Sequence, residues 1–200
     1  MKPEFVISCP IDTYSGYGAR SRDLVKSIIE LDKYDVKIIP QRWGAVPWGF
    51  IDDNEEWGFL NSHLLTQPHL TRQPEIWMQI TVPNEFQPIG KYNIGCTAGI
   101  ETTACHSSWI EGCNRMDLNL VSSEHSKNVF LNSKFIHKDP QGKEIGKLEL
   151  NKPIEVIFEG ANLDLYKPIS VKKPVISLNK IKENFCYLFV GHWMQGEFGE

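Results

Sequence analysis

The sequence has no run approaching the ~18 apolar residues of a membrane-spanning helix. Its start, Met-Lys-Pro-Glu before Phe5-Val6-Ile7, has no secretory apolar core either, so a cytoplasmic chain is expected. A basic stripe is also missing: 21 Lys and Arg are scattered among 25 Asp and Glu, for a formal net charge of −4 at pH 7. Nothing in that distribution would neutralise a phosphate backbone, so nucleic acid is not an expected partner. There is no Cys-x-x-Cys pair. Cys9, Cys96, Cys105, Cys113 and Cys186 are odd in number and widely spread, which argues against a disulfide framework. Structural zinc ligands come as closely spaced pairs, a pattern that Cys96, Cys105, His106 and Cys113 do not follow, so no metal is expected. Asp-x-Asp is absent as well, which removes the usual means of bridging a diphosphate through a metal, and no cofactor is expected.

What is present suits a globular fold, because 200 residues with 41% hydrophobic side chains are enough to bury one core. Phe5–Ser8 is a short apolar run closed by Cys9-Pro10 and predicts a buried strand. Leu24, Ile28 and Leu31 at helical spacing, with Arg20, Arg22, Asp23, Lys26 and Glu30 between them, predict an amphipathic helix over 19–31. A second strand, Val36–Ile39, completes a strand–helix–strand unit. Further strands are expected at 76–80, 92–98, 118–121 and 154–158, and a short helix near 55–64. Ser107 or Ser108 should cap another helix through Cys113, and Ser122-Ser123-Glu124 should open the next, with Glu124 favoured by the helix dipole. Residues 137–153 are polar and fit either a loop or a small hairpin. The fold class expected is α/β, a Rossmann-like doubly wound parallel sheet over 1–168. A Pro-, Lys- and Ser-rich linker over 169–184 should follow, then the first strand of a second domain, cut short, over 185–200.

Two segments stand out chemically. Ser15-Gly16-Tyr17-Gly18 lies between the first strand and its helix, where glycines allow a diphosphate to approach backbone N–H groups, although a plain turn explains it too. The third glycine of a dinucleotide fingerprint is absent. Ile157 to Pro168 carries Gly160, Asp164, Tyr166 and Pro168, and resembles the stretch that closes the N-terminal domain of GT-B glycosyltransferases of the retaining, group 1 type. Ser15, Gly16 and Gly18 resemble that family's glycine-rich donor loop. Glu101-Thr102-Thr103 with Trp109, Asn114 and Asp117, and Val121-Ser122-Ser123-Glu124 with Phe130, resemble two further stretches in the same order. Tyr187–Gly191 resembles the first strand of the C-terminal domain.

The resemblance implies a sugar moved from a nucleotide-sugar donor to a glycan, lipid or protein acceptor in a cleft between two Rossmann-like domains. In such enzymes the nucleotide is held mostly by the C-terminal domain, through a basic residue and a Glu-x7-Glu pair, so these 200 residues would hold half a site. Gly16 and Gly18 would then meet the donor diphosphate. Glu101 would accept hydrogen bonds from sugar hydroxyls or take the acceptor proton, unless it caps the next helix. His106 is a second candidate base, with a helix-start hydrogen bond as its plainer role. Thr102, Thr103 and Glu124 would contact sugar or acceptor.

Two other classes remain open. A nicotinamide-dependent oxidoreductase would share the fold, but the second strand ends Ile39-Pro40-Gln41-Arg42 with no acid to hold a ribose. A non-catalytic glycan- or nucleotide-binding Rossmann-like module could use Trp43, Trp48 and Trp57 to stack on sugar faces.

Overall fold

The computed structural model describes residues 2–65, 67, 70–138, 140–164, 166–168 and 181–188, with only the backbone of His137. It divides into two compact units, 1–160 and 161–200.

Strand β1 (Glu4–Cys9) is buried along its whole length, as a parallel strand between two layers must be. Helix α1 (Gly16–Glu30) starts before the expected Ala19, because the Ser15 hydroxyl caps it by accepting from Gly18 N at 2.9 Å. It ends before Leu31, which is exposed, and Asp32 follows in the left-handed region at φ 52°. Its buried face is Gly18, Ser21, Arg22 and Val25, so one of the charged residues expected outside lies inside. After β2 (Asp35–Pro40) come a short α2 (Phe50–Asp53), which no periodicity announced, and a 3₁₀ stretch, Glu55–His63.

Strand β3 (Ile76–Ile80), a 3₁₀ turn at Pro83–Glu85, and β4 (Tyr92–Cys96) lead to α3 (Ser107–Asn114). The cap of α3 is neither Ser107 nor Ser108. His106 takes that place, its Nδ1 accepting from Ser108 N at 3.2 Å. Next are β5 (Leu118–Val121) and α4 (Glu124–Asn132), capped by Ser123 as expected. Of the two alternatives for the polar stretch, the hairpin forms: β6 (Phe135–Lys138) against β7 (Glu144–Leu148). Strand β8 (Ile154–Val156) closes the unit.

Six strands make one parallel sheet in the order β2-β1-β3-β4-β5-β8. Successive strands add to opposite sides of β1, so the order reverses between β1 and β3, and the sheet is Rossmann-like and doubly wound. Side chains alternate between two cores. Ile7, Cys9, Ile38, Met78, Ile80 and Cys96 face α1 together with Ile51 and Leu60. Val6, Trp77 and Val121 face the other way, against Ile110, Cys113, Val129 and Phe130 of α3 and α4.

In the second unit, the described residues form no helix or strand. Asn162 begins a turn, its side chain accepting from Asp164 N at 3.0 Å and its carbonyl from Tyr166 N at 2.8 Å. The strand expected over 185–190 is not formed at residues 185–188, which pair with no other strand there; Phe189 and Val190, like residues 169–180 of the expected linker, lie outside the described residues.

Candidate functional site

At the carboxyl edge of the sheet, beside the point where strand order reverses, a small cleft of about 30 Å³ is lined by Gly16, Tyr17 and Arg20 of α1, Ile80 of β3, Cys96-Thr97-Ala98 and Glu159. This is the place where open parallel sheets take ligands, because loops diverge there and helix N-termini point inward. At that size it admits about two waters, so a ligand would lie across its mouth rather than inside it.

Tyr17 ties the cleft together. Its phenol oxygen accepts from Ala98 N at 3.1 Å and lies 3.0 Å from Thr97 Oγ1, while its ring stacks on Trp43 at 4.0 Å between centroids. Burial holds the phenol proton on above its ordinary range, and the nearby negative charge of Glu101 adds to the effect. Thr97 and Ala98 are fixed from beneath: Thr97 N donates to Leu120 O at 3.0 Å, and Ser122 and Ser126 both donate to Ala98 O. Arg20 donates from its two terminal nitrogens to the carbonyls of Ile157 and Phe158, which brings Glu159 to the rim. Cys96, in the floor, is pushed up to about 11 by desolvation, so no thiolate nucleophile stands there at neutral pH.

The two glycines separate. Gly16 is the first residue of α1, exposed, with open space where a Cβ would lie, and its N–H has no acceptor within the helix. Gly18 lies off the cleft. Its N–H is committed to Ser15 Oγ, and a Cβ there would come within 2.3 Å of Thr13 O, so its missing side chain lets α1 pack on the preceding loop. A diphosphate would meet Gly16 and Tyr17 rather than Gly18.

Glu101 and Thr102 are exposed on the loop between β4 and α3. Glu101 does not cap α3, since that role belongs to His106. The His106 Nδ1 is spent on the Ser108 N–H, which leaves the proton of the neutral ring on Nε2 and no free acceptor nitrogen to serve as a base. Thr102 donates to Ala104 O within its own loop. Thr103 lines a separate shallow hollow with His125, Asn128 and Asn132 of α4, away from the cleft. Glu124 is exposed in the first turn of α4, where the helix dipole favours a carboxylate. Among the described residues, no group of three His, Cys, Asp or Glu side chains could hold a metal ion, and no helix is long and apolar enough to cross a membrane.

Arg20 and Glu159 were missed by sequence reasoning. Arg20 stands four positions after Gly16, on the same face of the helix, and that spacing was the available signal. Glu159 had none, because only the Arg20 bonds to the chain after β8 bring it to the cleft. Comparisons with models of protein families, with curated proteins and with solved structures found no match for this chain.

Proposed function

We propose that residues 1–160 are the acceptor-side domain of a GT-B-type glycosyltransferase, which moves a sugar from a nucleotide donor to an acceptor hydroxyl. The observation that carries this reading is one of placement. Ser15–Gly18, Glu101–Thr103 and Ser122–Glu124, which carry three of the resembling stretches, follow β1, β4 and β5, and Ile157–Gly160 follows β8, so these residues lie at the carboxyl edge of one parallel sheet.

In the reaction, the acceptor oxygen bonds to the anomeric carbon as that carbon's bond to the diphosphate breaks, and the acceptor proton is lost. The N–H groups of Gly16 and Tyr17, at the positive end of α1, favour the charge growing on the leaving diphosphate. Arg20, one turn further in, adds a cation, although its donors also hold the chain after β8. Glu101 is the carboxylate available for the acceptor proton or its hydroxyls. His106 is set aside as a base, because its acceptor nitrogen caps α3. A second domain supplies the nucleotide pocket on this reading, so rates belong to the two domains together.

The test is a titration of the chain with UDP-glucose, GDP-mannose and ADP-glucose, followed through the backbone amide NMR signals. One donor should shift Gly16, Tyr17 and Ala98, and Gly16→Val should abolish the shift. No response of these amides even at millimolar donor, where the diphosphate contact of this half-site alone is still detectable, would reject the reading.

A further inference from the structure

On the sheet face away from α1, helix α4 packs over β5 and β8. Further across the same face, over β2, β1 and β3, lies a hollow of about 240 Å³, far larger than the cleft beside Gly16. Strand register explains it. Ile39, Ser8 and Gln79 form one cross-strand row, so the smallest of the three side chains stands in the middle, on β1. Trp77, two residues before Gln79, lies toward the amino end of the hollow, and Gln41, just past β2, toward the carboxyl end. Leu70, Gln87 and Ile89 wall it from segments outside the sheet.

Two buried polar groups among these residues lack partners. Ser8 is 2% exposed, and its hydroxyl makes no hydrogen bond among the described residues. Trp77 is 3% exposed, and its indole N–H has no acceptor. Buried polar groups ordinarily are paired, so an unpaired hydroxyl in the floor of an open hollow calls for a partner from outside the protein. The Gln79 carboxamide is fixed in place. Its Nε2 donates to Glu85 O at 3.0 Å and its Oε1 accepts from Gln87 N at 2.9 Å, which leaves one N–H and one lone pair to offer side by side.

Charge is missing from the hollow: no charged side chain lines it among the described residues. Glu4 and Lys37, nearer the amino edge of the same face, pair with each other, and Arg72 pairs with Glu4. Arg42, next to Gln41, has its guanidinium over Trp48 at 5.5 Å, and the Glu85 carboxylate accepts from the Thr81 hydroxyl.

We infer that this hollow binds an uncharged planar heterocycle of the nucleobase kind. An ionised ligand would lose its water and find no counter-charge. A sugar fits poorly, because Trp77 is too buried to offer a face for stacking, and hydroxyls on every edge would lie unpaired against Ile39, Leu70 and Ile89. A base has apolar faces for those side chains and keeps its donors and acceptors in its edge, where a carboxamide pairs with two of them at once. Gln79 is the fixed reader on this account, Gln41 and Gln87 stand at the rim, and the Ser8 hydroxyl meets the edge that enters deepest. The inference goes beyond the proposed function and does not rest on it, since the hollow and the Gly16 cleft lie on opposite faces of the sheet.

The test is saturation-transfer NMR on the 200-residue chain with adenosine, guanosine, cytidine and uridine, whose ribose is uncharged and leaves the base to decide. At least one should be saturated at its base protons more strongly than at its ribose protons. Ser8→Val, which removes the hydroxyl and fills the floor, should weaken that binding about tenfold or more. Gln41→Ala combined with Gln87→Ala, both at exposed positions, should weaken it severalfold. Gly16→Val should leave it unchanged. Thermal melts identify the folded variants, and the double glutamine variant decides the matter if Ser8→Val does not fold. Four results would each overturn the site: no saturation of any nucleoside at millimolar concentration, saturation centred on the ribose, wild-type binding by folded Ser8→Val or by the double variant, or binding lost in Gly16→Val.

Discussion

A glycine is informative only through what surrounds it, and the two in Ser15-Gly16-Tyr17-Gly18 make opposite predictions. At Gly18 an added methyl meets a backbone carbonyl at 2.3 Å that cannot retreat without moving the loop. Gly18→Ala should therefore cost about 2 kcal/mol or more of stability, measured by urea unfolding. Gly16 has open space, and Gly16→Ala should stay within about 0.5 kcal/mol of wild type. Any loss of donor binding in Gly16→Val is then a loss at the site. Glu101 is as clear a case. With the α3 cap assigned to His106, Glu101→Gln should leave stability unchanged within about 0.5 kcal/mol. If the proposed transferase reading holds, the same change in a two-domain enzyme should lower turnover on the order of 10²-fold at saturating donor and acceptor. Wild-type turnover would return Glu101 to an ordinary surface carboxylate.

At the scale of elements, α1 does more than cover the sheet. Its N-terminus opens the cleft, Arg20 holds the chain leaving β8, and Arg22 clamps the loop leaving β1. Arg22→Met would keep the stem but leave the carbonyls of Ile11 and Thr13 without donors, costing about 2–4 kcal/mol. Arg22→Lys should not restore stability, because an ammonium cannot lie flat on Phe50 while reaching both carbonyls. Urea midpoints of the two variants check this, and a lysine variant as stable as wild type would show that charge alone suffices.

Across the whole molecule, the two ends of the sheet have different chemistry. The carboxyl edge carries the cleft. At the amino edge, the buried Glu4 carboxylate pairs with Lys37 at 2.7 Å and Arg72 at 3.2 Å, and accepting from Lys37 holds it below its ordinary value of 4.5. A carboxyl lowered in the folded state adds stability that is fully present above the unfolded value and is lost as pH falls through the folded one. Wild type should lose stability more steeply than Glu4→Gln below about pH 4.5. Unfolding free energies measured from neutral pH down to about pH 2.5 check this, and parallel curves for the two proteins would remove Glu4 from the account.

The sequence by itself determined what depends on near neighbours along the chain. Apolar runs ending at Pro10 and Pro40 marked buried strands, Ser123 before Glu124 marked a helix start, and the strand–helix alternation implied a parallel sheet. Each is a local hydrogen bond or a repeat of side chains, so spacing is enough to see it. Tertiary structure alone decided which residues are brought together. Arg22 looks like any surface charge until Phe50 and the carbonyls of the first loop close around it. His106 displaced two serines as a cap, and Gly18 proved to serve packing where Gly16 serves the cleft. Arg20 and Glu159, far apart in the chain, meet at the cleft because β8 pairs with β5 and delivers its exit to the first helix. Those outcomes depend on strand order and burial between distant segments, which no local pattern encodes.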